Sequence, residues 1–258
     1  MRRGGLNVAV VLAALFLALS ALVTDARAGV IGNWDKSGRS WNNSHMTKIK
    51  AAMQAAGHQV LPDAPITEVG LKSLSVFLMG EPSATPSAEE LAILRKFLFS
   101  GGMIFVFGDT GIDLPTYNSL LTGTGSTISF IATTIGTSSA LPANKFTDAP
   151  VNIVGNTLSV TSGNGTAGGT PIDNNYVRYE QVGAGTIVVF GDRIDHNDVI
   201  STANTNLLLN VVSFALGPEV QIPTLSPLGL TAASTLLMLA GVAAIRRRRT
   251  AAVAACRR

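Results

Sequence analysis

The densest group of chemically capable side chains in this sequence is "GDRIDHND", residues 191–198. Asp192, Asp195, His196, Asn197 and Asp198 stand within this one short run, and Asp109 and Asp113 form a smaller group after another apolar stretch. Carboxylates and Asn carbonyls are hard oxygen donors, the ligand type that Ca²⁺ or Mg²⁺ prefers. The same Asp109, Asp192, Asp195 and His196 set offers the proton donors and acceptors that a metal-dependent or hydrolytic reaction needs. The spacing does not fit an EF-hand loop, and a single histidine in the run argues against a zinc site. Asp and Asn also end strands and cap turns with no ligand involved. No cofactor is required by the sequence, and both roles stay open at this level.

Other nucleophiles are scarce. The sole cysteine, Cys256, lies close to the C-terminus, and Gly-x-Ser-x-Gly is missing. Ser83 and Ser87 sit in a Pro-rich helix start, where capping is the ordinary serine role. His45 falls in a first helical turn and His58 at the start of a strand, so both read as packing or solvated residues.

The acidic runs need strands to deliver them. "MIFVFGD" (103–109) and "TIVVFGD" (186–192) each follow a glycine and share the ending Phe-Gly-Asp. Continuous apolar runs of this kind are expected of inner parallel strands. Two such strands would bring Asp109 and Asp192 to the same sheet edge, where open α/β sheets bind ligands. Further strands are expected at Val30–Trp34, His58–Leu61 and Leu74–Met79. Helices are expected from Asn43 or Ser44 to Gly57, in residues 81–102 and from about Asn204 to Leu216. The middle helix is the clearest: Ser87 and Glu90 can form a capping box, Leu91, Leu94 and Leu98 make a stripe, and Gly101-Gly102 stops it. Residues 122–182 are rich in Gly, Thr, Ser and Asn. They read as a β-rich elaboration with pieces at Thr127–Ile131, Val151–Val154, Leu158–Thr161 and Tyr176–Gln181, and with a mobile loop at Ser162–Thr170. Strands alternating with helices predict a doubly wound, mostly parallel α/β sheet over 29–217.

The order "GEPSATPSAEELAILRKFLFSGGMIFVFGD", then "VVFGD" and the "NLLLN" helix, resembles glutamine-amidotransferase-like domains of flavodoxin-like topology. The resemblance implies a fold in which many members outside the true amidotransferases are non-catalytic. In the catalytic members a cysteine nucleophile occupies the turn after a central strand. Here that turn reads Gly108-Asp109-Thr110-Gly111, so an ammonia-releasing activity is not expected.

The two ends carry a different message. Arg2 and Arg3 precede an apolar stretch from Val8 to Val23, and Ala26-Arg27-Ala28 supplies small residues where a signal peptidase would cut. The run Pro227–Ile245 holds no charge, reads as a transmembrane helix and stops at Arg246, Arg247, Arg248 and Arg249. Nine of the 19 Lys and Arg residues lie in these ends, leaving ten against 15 acidic residues in 29–221. The middle of the chain therefore carries a net charge near −5 despite the overall +3, which excludes a nucleic-acid footprint.

Ile222, Pro223, Thr224, Leu225 and Ser226, then Gly229, the apolar run and the four arginines resemble the IPTL-CTERM sorting signal, a relative of PEP-CTERM signals. The resemblance implies handling by an exosortase-type membrane protease in a Gram-negative bacterium, transient inner-membrane anchoring with the C-terminus cytoplasmic, and delivery to the cell surface. A plain C-terminal anchor is the alternative. The expected organisation is thus a signal peptide (1–28), an exported α/β domain (29–217) and a sorting tail (218–258). The exported domain is expected to act in binding or in an envelope structure, with an enzyme at Asp109, Asp192, Asp195 and His196 as the competing reading.

Overall fold

The computed structural model describes residues 28–216 except 110, 137, 162, 175, 198 and 199. Strand β1 (Val30–Trp34) leads through a 3₁₀ turn, Ser44–Met46, into helix α1 (Thr47–Ala55). Asn43 caps the turn, its Oδ1 accepting from His45 N at 2.9 Å. Then come β2 (Gln59–Ala64), the short α2 (Glu68–Lys72), β3 (Val76–Gly80), α3 (Ala88–Phe99) and β4 (Met103–Phe107). Helix α4 (Leu114–Thr124) follows, then β5 (Ser129–Ile135), β6 (Gly163–Ala167), β7 (Thr170–Asp173), β8 (Val177–Val182), β9 (Gly185–Phe190) and α5 (Thr202–Ala215).

Seven strands form one sheet in the order β2-β1-β3-β4-β9-β8-β7, while β5 and β6 pair separately. Neighbours from β2 to β9 run parallel, and β8 and β7 are added antiparallel at one side. The two similar sequences lie side by side, with Val106 opposite Val189 and Phe107 opposite Phe190. Their Phe107 and Phe190 rings stack at 4.6 Å.

Alternation along the strands divides the core between the two faces of the sheet. Met103, Phe105, Phe107, Val188 and Phe190 pack with Met46, Ile49, Met53, Leu207, Leu208 and Val211 from the α1 and α5 side. Ile104, Val106, Ile187 and Val189 pack with Leu71, Leu94, Leu98, Tyr117, Leu120 and Leu121 from α2, α3 and α4. Helix α3 begins with both bonds of the capping box: Ser87 Oγ accepts from Glu90 N at 3.1 Å, and Glu90 Oε2 accepts from Ser87 N at 2.7 Å.

The expected fold class needs correction. The structure is a mixed α/β fold with a mostly parallel sheet, and among the described residues no helix is long and apolar enough to cross a membrane. The 227–245 segment, the sorting residues from Ile222 to Arg249 and the signal-peptide residues through Arg27 lie outside the described residues. The parallel part keeps the strand order 2-1-3-4-5 and is compatible with a flavodoxin-like sheet to that extent. The elaboration differs from expectation, because β7 and β8 widen the main sheet while β5 and β6 stand apart from it. Residues 163–167, expected in a mobile loop, are strand β6. Val151–Val154 and Leu158–Thr161 are not strands. Side chains of α5 satisfy their backbone instead: Asn210 Oδ1 accepts from Val151 N at 3.1 Å, and Asn204 Oδ1 accepts from Ser159 N at 2.8 Å.

Candidate functional site

Strand register places the ends of β3, β4 and β9 together at the carboxyl edge of the sheet. Glu81, Asp109 and Asp192 follow these ends directly or after one glycine. Arg39, from the loop after β1, reaches across to them. Its guanidinium lies 2.6 Å from Glu81 Oε1 and 3.7 Å from Asp109 Oδ2, and only 4% of its side chain is exposed. Gly80 permits this approach, since a Cβ there would lie 2.4 Å from Arg39 Cγ. Arg193 Nε stands 3.5 Å from the same Asp109 oxygen. Asp109 is thus bracketed by two cations.

Asp192 is buried and bound to backbone. Its Oδ2 accepts from Thr161 N and its Oδ1 from Arg193 N, both at 2.8 Å. Burial raises its pKa, opposed by those two hydrogen bonds. Burial likewise lifts the Glu81 carboxyl above its usual range; Arg39 pulls it down, and the adjacent Asp109 carboxyl adds to the lift. Glu81 also holds a φ of 46°, a left-handed conformation that costs a non-glycine residue about 1–3 kcal/mol.

Asp195 differs from its neighbours. It is fully buried, among the described residues no other residue donates a hydrogen bond to either carboxylate oxygen, and burial pushes its pKa up to about 6 against the pull of Arg39 and of its own backbone N–H. His196 is buried and stacks on His45 with ring centroids 4.2 Å apart. Burial, then Arg39, His45 and Arg193, bring its pKa down to about 4, so the ring is neutral at pH 7.

Asn197 works as a clip. Its side chain donates to Ser44 O and, at 2.7 Å, to Thr47 Oγ1, and its Oδ1 accepts from Lys48 N at 2.9 Å. That last bond serves an amide in the first turn of α1, which has no side-chain cap of its own. Strand β6 closes the edge from above: Asn164 N donates to Gly191 O at 2.9 Å, and the Asn164 amide donates to Asp109 O.

The structure therefore brings Asp109, Asp192, Asp195 and His196 into one neighbourhood in which their charges interact. Asp113 stands apart at the start of α4, accepting from Thr116 Oγ1. Asp198, Asn175 and Thr110 lie outside the described residues. Among the described residues no group of three or more His, Cys, Asp or Glu is arranged to hold a metal ion. Arg39, Glu81 and Arg193 are the members that sequence reasoning missed. Arg39 carried one usable signal, as a lone arginine in the Gly/Ser loop after the first strand. Glu81 carried another, following an apolar strand at the position where Asp109 and Asp192 follow theirs.

No protein-family model and no curated protein matches the sequence. Solved structures do resemble the fold. The "mmIFT52 N-terminal domain" has a TM-score of 0.57 at 16% identity, covering 75% of this chain and 100% of that one. Two cytoplasmic proteins from Salmonella typhimurium have TM-scores of 0.51 and 0.50 at 8% identity, each covering 72% of this chain and 98% of their own. The likeness is one of fold alone.

Proposed function

We propose that the chain is an exported protein of the Gram-negative cell surface whose α/β domain binds or scaffolds and does not catalyse. The observation that carries the non-catalytic reading is the engagement of the carboxyl edge by the fold itself. Asp109 lies against Arg39 and Arg193, and Asp192 accepts two backbone N–H bonds. A general base or metal ligand needs lone pairs free to face a substrate, and each of these carboxylates already spends part of its accepting capacity and its charge on the fold. The turn after β4 presents Gly108 and Asp109 where the amidotransferase resemblance would require a cysteine. For export, the support is the small-residue Ala26-Arg27-Ala28 segment and the Ile222-Pro223-Thr224-Leu225-Ser226 signal ahead of the arginines, with a signal peptidase and an exosortase-type protease as processing partners.

Replacing Ile222, Pro223, Thr224 and Leu225 with alanine in the full chain tests the sorting role. Surface-exposed protein, measured by protease shaving of whole cells, should fall while total protein persists. An unchanged surface fraction would remove the sorting reading.

One observation favours a second reading, an enzyme at Asp109, Asp192, Asp195 and His196: the Asp195 carboxylate is buried with no donor from any other described residue. Calorimetry of the exported protein with Ca²⁺, Mg²⁺ and Zn²⁺ addresses its metal-dependent form. Heat that saturates at one ion per chain, and is lost in Asp195→Asn, would favour the enzyme over the scaffold.

A further inference from the structure

The sheet takes up the chain at Gly29. Its carbonyl accepts from Gln59 N at 2.9 Å, next to the first β1–β2 pair, Val30 with Gln59. Its own N–H donates to His58 Nδ1 at 3.1 Å. Gly29 is buried, whereas Ala28, one residue earlier, is exposed. The backbone fixes His58 on both sides. His58 follows Gly57, which ends the α1 segment with a φ of 88°; its own N–H donates to Met53 O at 3.0 Å, and the next residue begins β2. Accepting at Nδ1 requires the neutral ring with its proton on Nε2, and burial lowers the His58 pKa in keeping with that form.

We propose that Gly29 becomes the first residue of the mature protein and that His58 is the built receptor for its new α-amino group. The inference rests on the export reading, in which the Ala28–Gly29 bond is the one cut. In that cut, water adds to the Ala28 carbonyl carbon and the C–N bond breaks. Ala28 departs as a carboxylate, and the Gly29 nitrogen keeps its electron pair and takes up a proton. The nitrogen already stands within hydrogen-bond reach of His58 Nδ1, so the neutral amide bond becomes a charge-assisted one with little movement of the sheet. The remaining N–H groups open toward the position that Ala28 vacates. That position borders a cavity of about 600 Å³ also lined by Glu68, Lys72, Lys96 and Leu216. A Cβ on Gly29 would lie 3.0 Å from Leu216 Cδ2 and 3.5 Å from His58 Nδ1, so a larger first residue needs the Leu216 side chain to give way.

The test uses the full chain expressed in a Gram-negative host, with the exported product collected. Its intact mass reports the first residue. Acylation of the α-amine with acetic anhydride at pH 7, followed by mass spectrometry, reports accessibility in the folded protein against the same protein in urea. A product beginning at Gly29 and acylated at least about tenfold more slowly when folded is expected. His58→Leu should abolish that protection, and His58→Gln, which keeps an acceptor, should retain most of it. If His58→Leu does not accumulate folded, the wild-type comparison and His58→Gln decide. A Gly29 amine that reacts at the unfolded rate overturns the receptor role and leaves export standing. A product that begins at another exported position overturns this inference alone, and a chain retaining Met1 overturns export with it.

Discussion

Replacing Asp195 with asparagine should stabilise the protein at neutral pH. The carboxylate is fully buried, no other described residue donates to either oxygen, and its pKa is raised to about 6 from an ordinary 3.8. One pKa unit corresponds to about 1.4 kcal/mol, so charging Asp195 costs the fold about 3 kcal/mol at pH 7. The sign follows from the raised value. Below pH 3.8 the acid is protonated in folded and unfolded chains alike, and the cost is absent. Stability is lost as pH rises from about 3.8 to about 6, and the deficit is constant above that. Asn has the shape of the protonated acid and leaves Arg39 its pairings with Glu81 and Asp109. Urea unfolding of wild type and Asp195→Asn should therefore agree near pH 4 and differ by up to about 3 kcal/mol in favour of the variant at pH 7.5. The neutral histidines His58 and His196 act in the opposite direction, but they are common to both proteins and cancel in the difference. A variant less stable than wild type at pH 7.5 would refute the reasoning, because it would mean that the charged carboxylate gains more from its partners than burial costs it.

Removing Arg39 should do the reverse: Arg39→Met strips Glu81 and Asp109 of a buried cation, and chemical denaturation should register a loss of about 3–5 kcal/mol. Asn210 ties the loop at 146–151 to α5, with Nδ2 donating to Phe146 O and Val151 O, both at 2.8 Å, and Oδ1 accepting from Val151 N. Asn210→Leu should cost about 2 kcal/mol or more in the same assay and speed proteolysis at that loop. His196 is held neutral with its pKa at about 4, so its contribution is fully present above pH 6.5 and is lost as pH falls toward 4. His196→Gln should accordingly flatten the stability profile between pH 6.5 and 4 relative to wild type.

The twin runs ending in Phe-Gly-Asp were legible because an inner parallel strand is apolar on both faces and ends where its first carboxylate stands. Helix α3 was legible for a local reason as well: its capping box and leucine stripe sit within a dozen residues. Helix α4 escaped notice because Pro115, Thr116, Asn118 and Gly123 interrupt any stripe, although Tyr117, Leu120 and Leu121 are buried from it. Strand β6 reads "GNGTA", with no strand preference of its own; pairing with β5 and contact with Gly191 make it a strand. The apolar pieces at 151–154 and 158–161 misled for the complementary reason, since part of their backbone bonding is supplied by Asn204 and Asn210 from 45 or more residues away. The same limit applies to the site. Carboxylates announce themselves in sequence, whereas the arginine that neutralises them arrives from a loop far along the chain, and only the folded sheet shows that Arg39 and Asp109 meet.

The most direct test of the account is the intact mass and the cellular location of the protein in its native host. The account predicts a species beginning at Gly29 and ending near Thr224. A full-length 26.8 kDa chain, from Met1 to Arg258 and confined to the cytoplasm, would contradict it.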